Sequence, residues 1–197
     1  MAEYTTRHLG TGLSTFNYRI DKDRPASWNK ILAVREVMET SRADWVVWFD
    51  CDTVVVNTSK DPSVLLQDVP SDAEMIISSD NYGLCCGVFG MRNSAWSKQF
   101  LDALYFLGPI NRNHPQPDKW EQDSVKILHS HFRSVSTKIH LLSQDVIQNP
   151  DSKFCPDAWM MHYWTGGRNH EKLIELMRMA RAKWSFEAFD AANYRHV

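Results

Sequence analysis

Cysteine is scarce in this chain. Four occur in 197 residues, two of them adjacent at Cys85 and Cys86, a spacing that fits neither a disulfide framework nor a CxxC zinc site. Reduced, intracellular thiols are the simplest reading. Neither sign of charge is in excess: 22 lysines and arginines stand against 24 acidic residues. Nothing in that balance steers the chain to nucleic acid or to an anionic membrane, so any anion site must be local. Long apolar runs are also missing. Trp45 to Phe49 and Val54 to Val56 fall far short of the roughly 20 residues that cross a bilayer, and no signal peptide opens the chain. The expectation is a soluble, cytoplasmic protein with no membrane span. Internal repeats and low-complexity tracts are absent too, which argues against a solenoid.

What is present is material for one core. A hydrophobic content of 43% and an aromatic content of 12% suffice to bury it without disulfides, and residues 1–197 are expected to form a single domain. Ser27 is placed to cap a helix carrying Trp28, Ile31, Val34 and Met38 on one stripe. Trp45 to Phe49 is an unbroken β-branched and aromatic run, the pattern of a central parallel strand buried on both faces. Met75 to Ser79 and Val88 to Met91 repeat the pattern of short apolar strands. Asn93 or Ser94 then caps a helix with Trp96, Phe100, Leu104 and Leu107 on one face, and Glu121 to Leu128 forms another. Residues 109–118 resemble a long surface loop. Val135 to Leu142 and Trp159 to Tyr163 supply late strands, and residues 171–182 a closing helix. Such alternation predicts an α/β fold with a mostly parallel central sheet flanked by helices.

In open α/β sheets, ligands bind beyond the carboxyl ends of the strands, and Asp50-Cys51-Asp52 follows the most buried-looking strand. If the segment stays extended, residues two apart point the same way, so both carboxylates could converge on one hard divalent cation. A bare DxD more often just begins a polar turn. The His129 to His131 run lacks a carboxylate or cysteine partner in sequence and reads as surface.

Several segments taken in order resemble one family. Trp28-Asn29-Lys30-Ile31 and Asp44 through Asn57, with Asp50-Cys51-Asp52 at their centre, are similar to the W-x-K and WxD-x-D core of the galactosyl-, mannosyl- and xylosyltransferases of the GT-A fold. Asp80, the segment Gly87 to Ser97, Glu121-Gln122-Asp123 and Met161-His162-Tyr163 match further motifs of that family in the same order. The resemblance runs from about Trp28 to Gly167 and implies a GT-A-like, Rossmann-related sheet. It also implies transfer of a hexose-type sugar from a nucleotide diphosphate, UDP being the expected one, to a hydroxyl of a glycan or glycoprotein acceptor.

The same resemblance implies roles for residues. Asp52, Asp50 and His162 would be the protein ligands of Mn²⁺, or of Mg²⁺, with Asp50 also near the donor's ribose. Lys30, Asp80 and Arg168 would lie on the donor side, Gln122 toward the acceptor, and Asp123 would be the catalytic base of an inverting reaction. In a retaining reaction, Asp123 or Gln122 would orient groups instead. The family's nucleotide-binding strand precedes a segment that Tyr4 to Gly10 matches loosely, so this chain is expected to lack that first strand.

Two other readings compete. Phe49 to Val55 also fits the nucleophile loop of haloacid-dehalogenase-like phosphatases, with Asp50 attacking phosphate, although the late acidic pair of that family is not found. A binding module for glycans or nucleotide sugars that keeps the fold without turnover is the third.

Overall fold

The computed structural model describes residues 12–80, 82–107, 120–150 and 158–163, with positions 174, 175 and 178. A 3₁₀ turn at Ala26–Trp28 runs directly into helix α1 (Asn29–Thr40), whose stripe of Trp28, Ile31, Val34 and Met38 is buried as its spacing predicts. Ser27 does not cap this helix. It lies inside the 3₁₀ turn, where the backbone N–H of Trp28 is taken by the Pro25 carbonyl at 3.0 Å, so the first turn is closed by main chain.

Strand β1 (Trp45–Phe49) follows, then a turn and β2 (Thr53–Val55). Further on come the antiparallel strands β3 (Met75–Asp80) and β4 (Gly83–Arg92). Only two residues separate them, a connection too short for a parallel crossover. Gly83 opens β4 at φ +102°, a conformation that side chains rarely adopt. Helix α2 (Ala95–Phe106) is capped as expected by Ser94, whose Oγ accepts the N–H of Ser97 at 3.1 Å. Helix α3 (Trp120–His131) and the short helix α4 (Arg133–Ser136) lead to β5 (Ile139–Leu142). The expected strand over Val135 to Leu142 thus begins only at Ile139. The chain closes with helix α5 (Gln144–Ile147), β6 (Asn149–Pro150) and β7 (Met160–His162).

The main sheet has the order β1-β4-β3-β5, and a smaller one the order β2-β7-β6. The α/β arrangement of one sheet covered by helices matches the sequence pattern, but the pairing is mixed rather than mostly parallel. Among the described strands, β3 pairs parallel to β5 and β6 to β7, while β1–β4, β4–β3 and β2–β7 are antiparallel. β1 stands at the edge of the described sheet and is only partly buried; β4 is the strand buried almost throughout.

Both faces of the sheet are nevertheless covered. Val46, Met75, Ile77, Phe89 and Met91 pack with α1 and α2 residues such as Ile31, Val34, Phe100 and Leu104, while Ile76 and Val88 face the other way with Leu65, Ile147, Trp159 and Met160. Two-sided burial explains why these strands read as continuous apolar runs. The segments at 4–10, 109–118, 166–168 and most of 171–182 lie outside the described residues.

Candidate active site

The site begins with an irregularity in β4. Ile77 pairs with Phe89, but the next residue of β3, Ser78, pairs with Cys85, so Cys86, Gly87 and Val88 bulge out of the β3 ladder. Bulges free backbone groups and re-aim neighbouring side chains. Here the bulged residues reach three other elements. The N–H of Cys86 donates to Gln122 Oε1 at 2.9 Å, its carbonyl accepts from Lys30 Nζ at 3.2 Å, and the Gly87 carbonyl accepts from the N–H of Asp50 at 2.8 Å.

Asp50-Cys51-Asp52 is a turn and not an extended segment. The Asp50 carbonyl accepts both from the N–H of Thr53 at 3.1 Å and from its hydroxyl at 2.7 Å. The turn is needed because the chain leaves the main sheet at Phe49 and enters the small one at Thr53. Antiparallel pairing of β2 with β7 sets Thr53 opposite His162, and the N–H of Tyr163 donates to the Asp52 carbonyl at 2.9 Å. That register brings His162 to Asp52, 110 positions earlier in the chain. Asp50, Asp52 and His162 each present a ligand atom, all within 4.8 Å of one another.

His162 is buried, with Nε2 3.3 Å from Asp52 Oδ1. Burial pulls its pKa down, but the Asp52 carboxylate beside Nε2 and the contact with Cys85 outweigh it and raise the ring to about 9. The ring fills the space above Gly87: a Cβ there would meet His162 Cε1 at 2.1 Å. Only glycine leaves room for it.

Lys30 is buried beneath the turn. Its ammonium lies 3.0 Å from both oxygens of Asp50 and 3.4 Å from Glu121 Oε1. Burial opposes its charge, yet the two carboxylates outweigh this and push its pKa above the usual lysine range. Trp48 Nε1 donates to Asp50 Oδ1 at 2.6 Å, the two side chains sharing one side of the strand two residues apart. Asp50 is thereby fixed from two directions. Glu121, known from the sequence only as part of a motif, is the buried partner that completes this ion cluster.

Gln122 and Asp123 follow in the first turn of α3. Gln122 spends its carbonyl on the bulge, which leaves its NH₂ end for other partners. Asp123 Oδ1 is 3.4 Å from Lys126 Nζ, and Lys126 also lies against the β3–β4 turn, where a Cβ at Gly83 would be 3.2 Å from its Cε. Gly83 is the register partner of Asp80, whose carboxylate accepts the N–H of Tyr82 at 2.6 Å. Lys126 therefore bridges the two regions expected to face donor and acceptor. Arg168 lies outside the described residues. Sequence reading missed Lys126, Gln148 and the packing role of Gly87. No local signal marks the first two, whereas a glycine inside an apolar strand run is a recognised sign of a bulge or a close approach.

The donor set suits a hard or borderline divalent ion: two carboxylates and one imidazole. Asp52 Oδ1 is buried without a well-formed hydrogen bond among the described residues, as a ligand oxygen awaiting an ion would be. Among those residues this is the one cluster of three or more such groups, and His131 is exposed.

The sequence profile of the galactosyl transferase GMA12/MNN10 family matches residues 60–167, more than half of the chain. The chain belongs to that family. It is 25% identical over 205 aligned residues to the "Probable alpha-1,6-mannosyltransferase MNN10" of Saccharomyces cerevisiae, a similarity covering 88% of this chain and 52% of the yeast protein. A span that long includes Asp50 and Asp52 wherever it begins. It is also 34% identical over 123 residues to "Probable glycosyltransferase 6" of Oryza sativa subsp. japonica, covering 57% of this chain and 23% of that one. The chain thus spans about half the length of the yeast relative and less of the rice one.

In three dimensions it resembles a glycosyltransferase "involved in the glycosylation of the major capsid of PBCV-1", with a TM-score of 0.64 over 84% of this chain and 81% of that one at 12% identity. This likeness bears out the GT-A-like fold. Membership in a glycosyltransferase family sets aside the phosphatase reading of Asp50. Among the described residues, no helix is long and apolar enough to cross a membrane.

Proposed function

We propose that the chain is a single glycosyltransferase domain that moves a hexose-type sugar from a nucleotide diphosphate, UDP in our reading, to a hydroxyl of a glycan or glycoprotein. The observation that carries this reading is the convergence of Asp50, Asp52 and His162 within 4.8 Å in a member of this family. These three residues would hold Mn²⁺ or Mg²⁺. Such an ion supplies charge stabilisation to a departing diphosphate.

The rest falls to the chain's own residues. Lys30 and Trp48 hold Asp50 in one orientation, so that little reorganisation is needed when the donor arrives. Asp80 at the β3–β4 turn and Arg168 are assigned to the donor, and the NH₂ of Gln122 to the acceptor. We assign Asp123 to the acceptor: in an inverting reaction its carboxylate takes the proton of the acceptor hydroxyl as that oxygen bonds to the anomeric carbon and the nucleotide diphosphate leaves with the electron pair of the old bond, whereas in a retaining one Asp123 or Gln122 orients the groups and the departing phosphate receives the proton.

Calorimetric titration with UDP, UDP-glucose and GDP, with and without Mn²⁺, tests the reading, run beside Asp52→Ala and followed by an assay for released or transferred sugar. Metal-dependent binding that the substitution abolishes supports the nucleotide-sugar site. Binding without any turnover would favour a glycan or nucleotide-sugar binding module, and no binding by the folded chain would overturn the reading.

A further inference from the structure

Gln148, just after α5, is fully buried. A buried amide is costly unless each of its polar ends is met, and here both are. Its Nε2 donates to Ser78 Oγ and lies 3.4 Å from the Cys85 carbonyl, while its Oε1 lies 3.1 Å from His162 Nδ1.

The orientation follows from chemistry. The Cys85 carbonyl can only accept, so the amide nitrogen must face it, and the amide oxygen must then face the imidazole. An oxygen at 3.1 Å calls for a donor, so Nδ1 carries a proton. Among the described residues, Nδ1 also lies 4.0 Å from Cys85 Sγ, a weaker and more distant partner. Flipping the ring would set carbon atoms against both Gln148 and Asp52, losing both contacts. Gly87 bounds the ring on another side, so it has one place and one orientation.

We infer that Gln148 is a positioning residue for His162: it accepts the Nδ1 proton and thereby holds the other ring nitrogen, Nε2, beside Asp52 Oδ1 as the one that gives up its proton when an ion binds. Partners of this kind behind a metal-binding histidine set its tautomer and raise its basicity as a ligand. Ser78 and the Cys85 carbonyl are the anchor of the device. They lie on the two strands where the β4 bulge begins, so the irregularity that opens the site also fixes its histidine.

The inference rests on the metal-site reading only for its consequence; the hydrogen bond is tested without a metal. In the ¹⁵N-labelled, metal-free chain, long-range ¹H–¹⁵N spectra are expected to show a slowly exchanging proton on His162 Nδ1. An Nδ1 without a proton, or with one that exchanges as fast as that of an exposed histidine, would overturn the inference. Gln148→Leu is expected to lose that protected proton and to weaken Mn²⁺ binding about 10- to 100-fold. An unchanged Nδ1–H and unchanged affinity in that folded variant would also sink the idea, because a merely structural glutamine would lower stability and leave the Nδ1–H alone. Should Gln148→Leu fail to fold, Gln148→Glu decides, since it keeps an acceptor for Nδ1–H: a retained, protected Nδ1–H supports the inference and its loss refutes it. A wild-type chain with the protected Nδ1–H but no Mn²⁺ uptake would instead count against the metal site.

Discussion

The ammonium of Lys30 lies 3.0 Å from both carboxylate oxygens of Asp50 and 3.4 Å from Glu121 Oε1, with little solvent reaching it. Removing one member of such a cluster leaves the others buried and uncompensated. Lys30→Met is therefore expected to cost about 3–5 kcal/mol of stability. The double variant Lys30→Met, Glu121→Gln should cost clearly less than the sum of the two single ones, since the residues share one network. Urea unfolding of all four proteins measures this, and strict additivity would show that the lysine and glutamate are not coupled.

Gly87→Ala probes the seat of the histidine. The added methyl would lie 2.1 Å from His162 Cε1, so the ring must move even though its own chemistry is unchanged. Overpacking of this kind costs about 1–3 kcal/mol. The larger expected effect is on metal affinity, a loss of at least 10-fold on the scale of lost ligand support. Mn²⁺ titration followed by electron paramagnetic resonance reads it, and wild-type affinity in this variant would contradict the packing described.

Metal addition and removal should change stability without any substrate. An ion at 100 times its dissociation constant adds about 2.7 kcal/mol to a protein that binds it only when folded. Thermal unfolding is expected to shift upward with Mn²⁺, to return with EDTA, and to ignore Mn²⁺ in Asp52→Asn. A shift of equal size in that variant would place the ion elsewhere.

The segment before α1 is held to α2 through a titratable contact. Tyr105 Oη donates to Asp21, and Arg24 lies over the Tyr105 ring at 3.6 Å. Burial first, then the hydrogen bond to Asp21, pushes the phenol up to about 12. A pKa raised in the folded state means that this stabilisation is complete below about 10, the unfolded value, and is lost as pH rises toward 12. The Asp21 carboxylate moves the other way: the Tyr105 hydrogen bond, helped by the Asp23 N–H, lowers its pKa, so its contribution is present above the ordinary aspartate range and fades in acid. Phenolate absorbance with pH should show one tyrosine titrating late, and Asp21→Asn should bring it back toward 10.

Local pattern carried much of the fold. The stripe of Trp28, Ile31, Val34 and Met38, the runs of β1, β3 and β4, the Ser94 cap and the helix at Glu121 follow from residue spacing and type, because burial of one helix face or of both strand faces leaves a periodic mark. The ordered motifs likewise singled out Asp50, Asp52 and His162 before any contact was known. Pairing direction, the edge position of β1 among the described strands, and the turn at Asp50-Cys51-Asp52 were not legible, since they depend on how distant segments dock. Ser27 shows the same limit on a small scale, its capping role being pre-empted by the backbone turn that starts at Pro25. Only the tertiary structure could set Thr53 opposite His162, lodge that ring over Gly87, bury Lys30 between Asp50 and Glu121, and bring Gln148 behind the histidine. Each is a contact between residues far apart in sequence, fixed by register and packing and leaving no periodic trace in the chain.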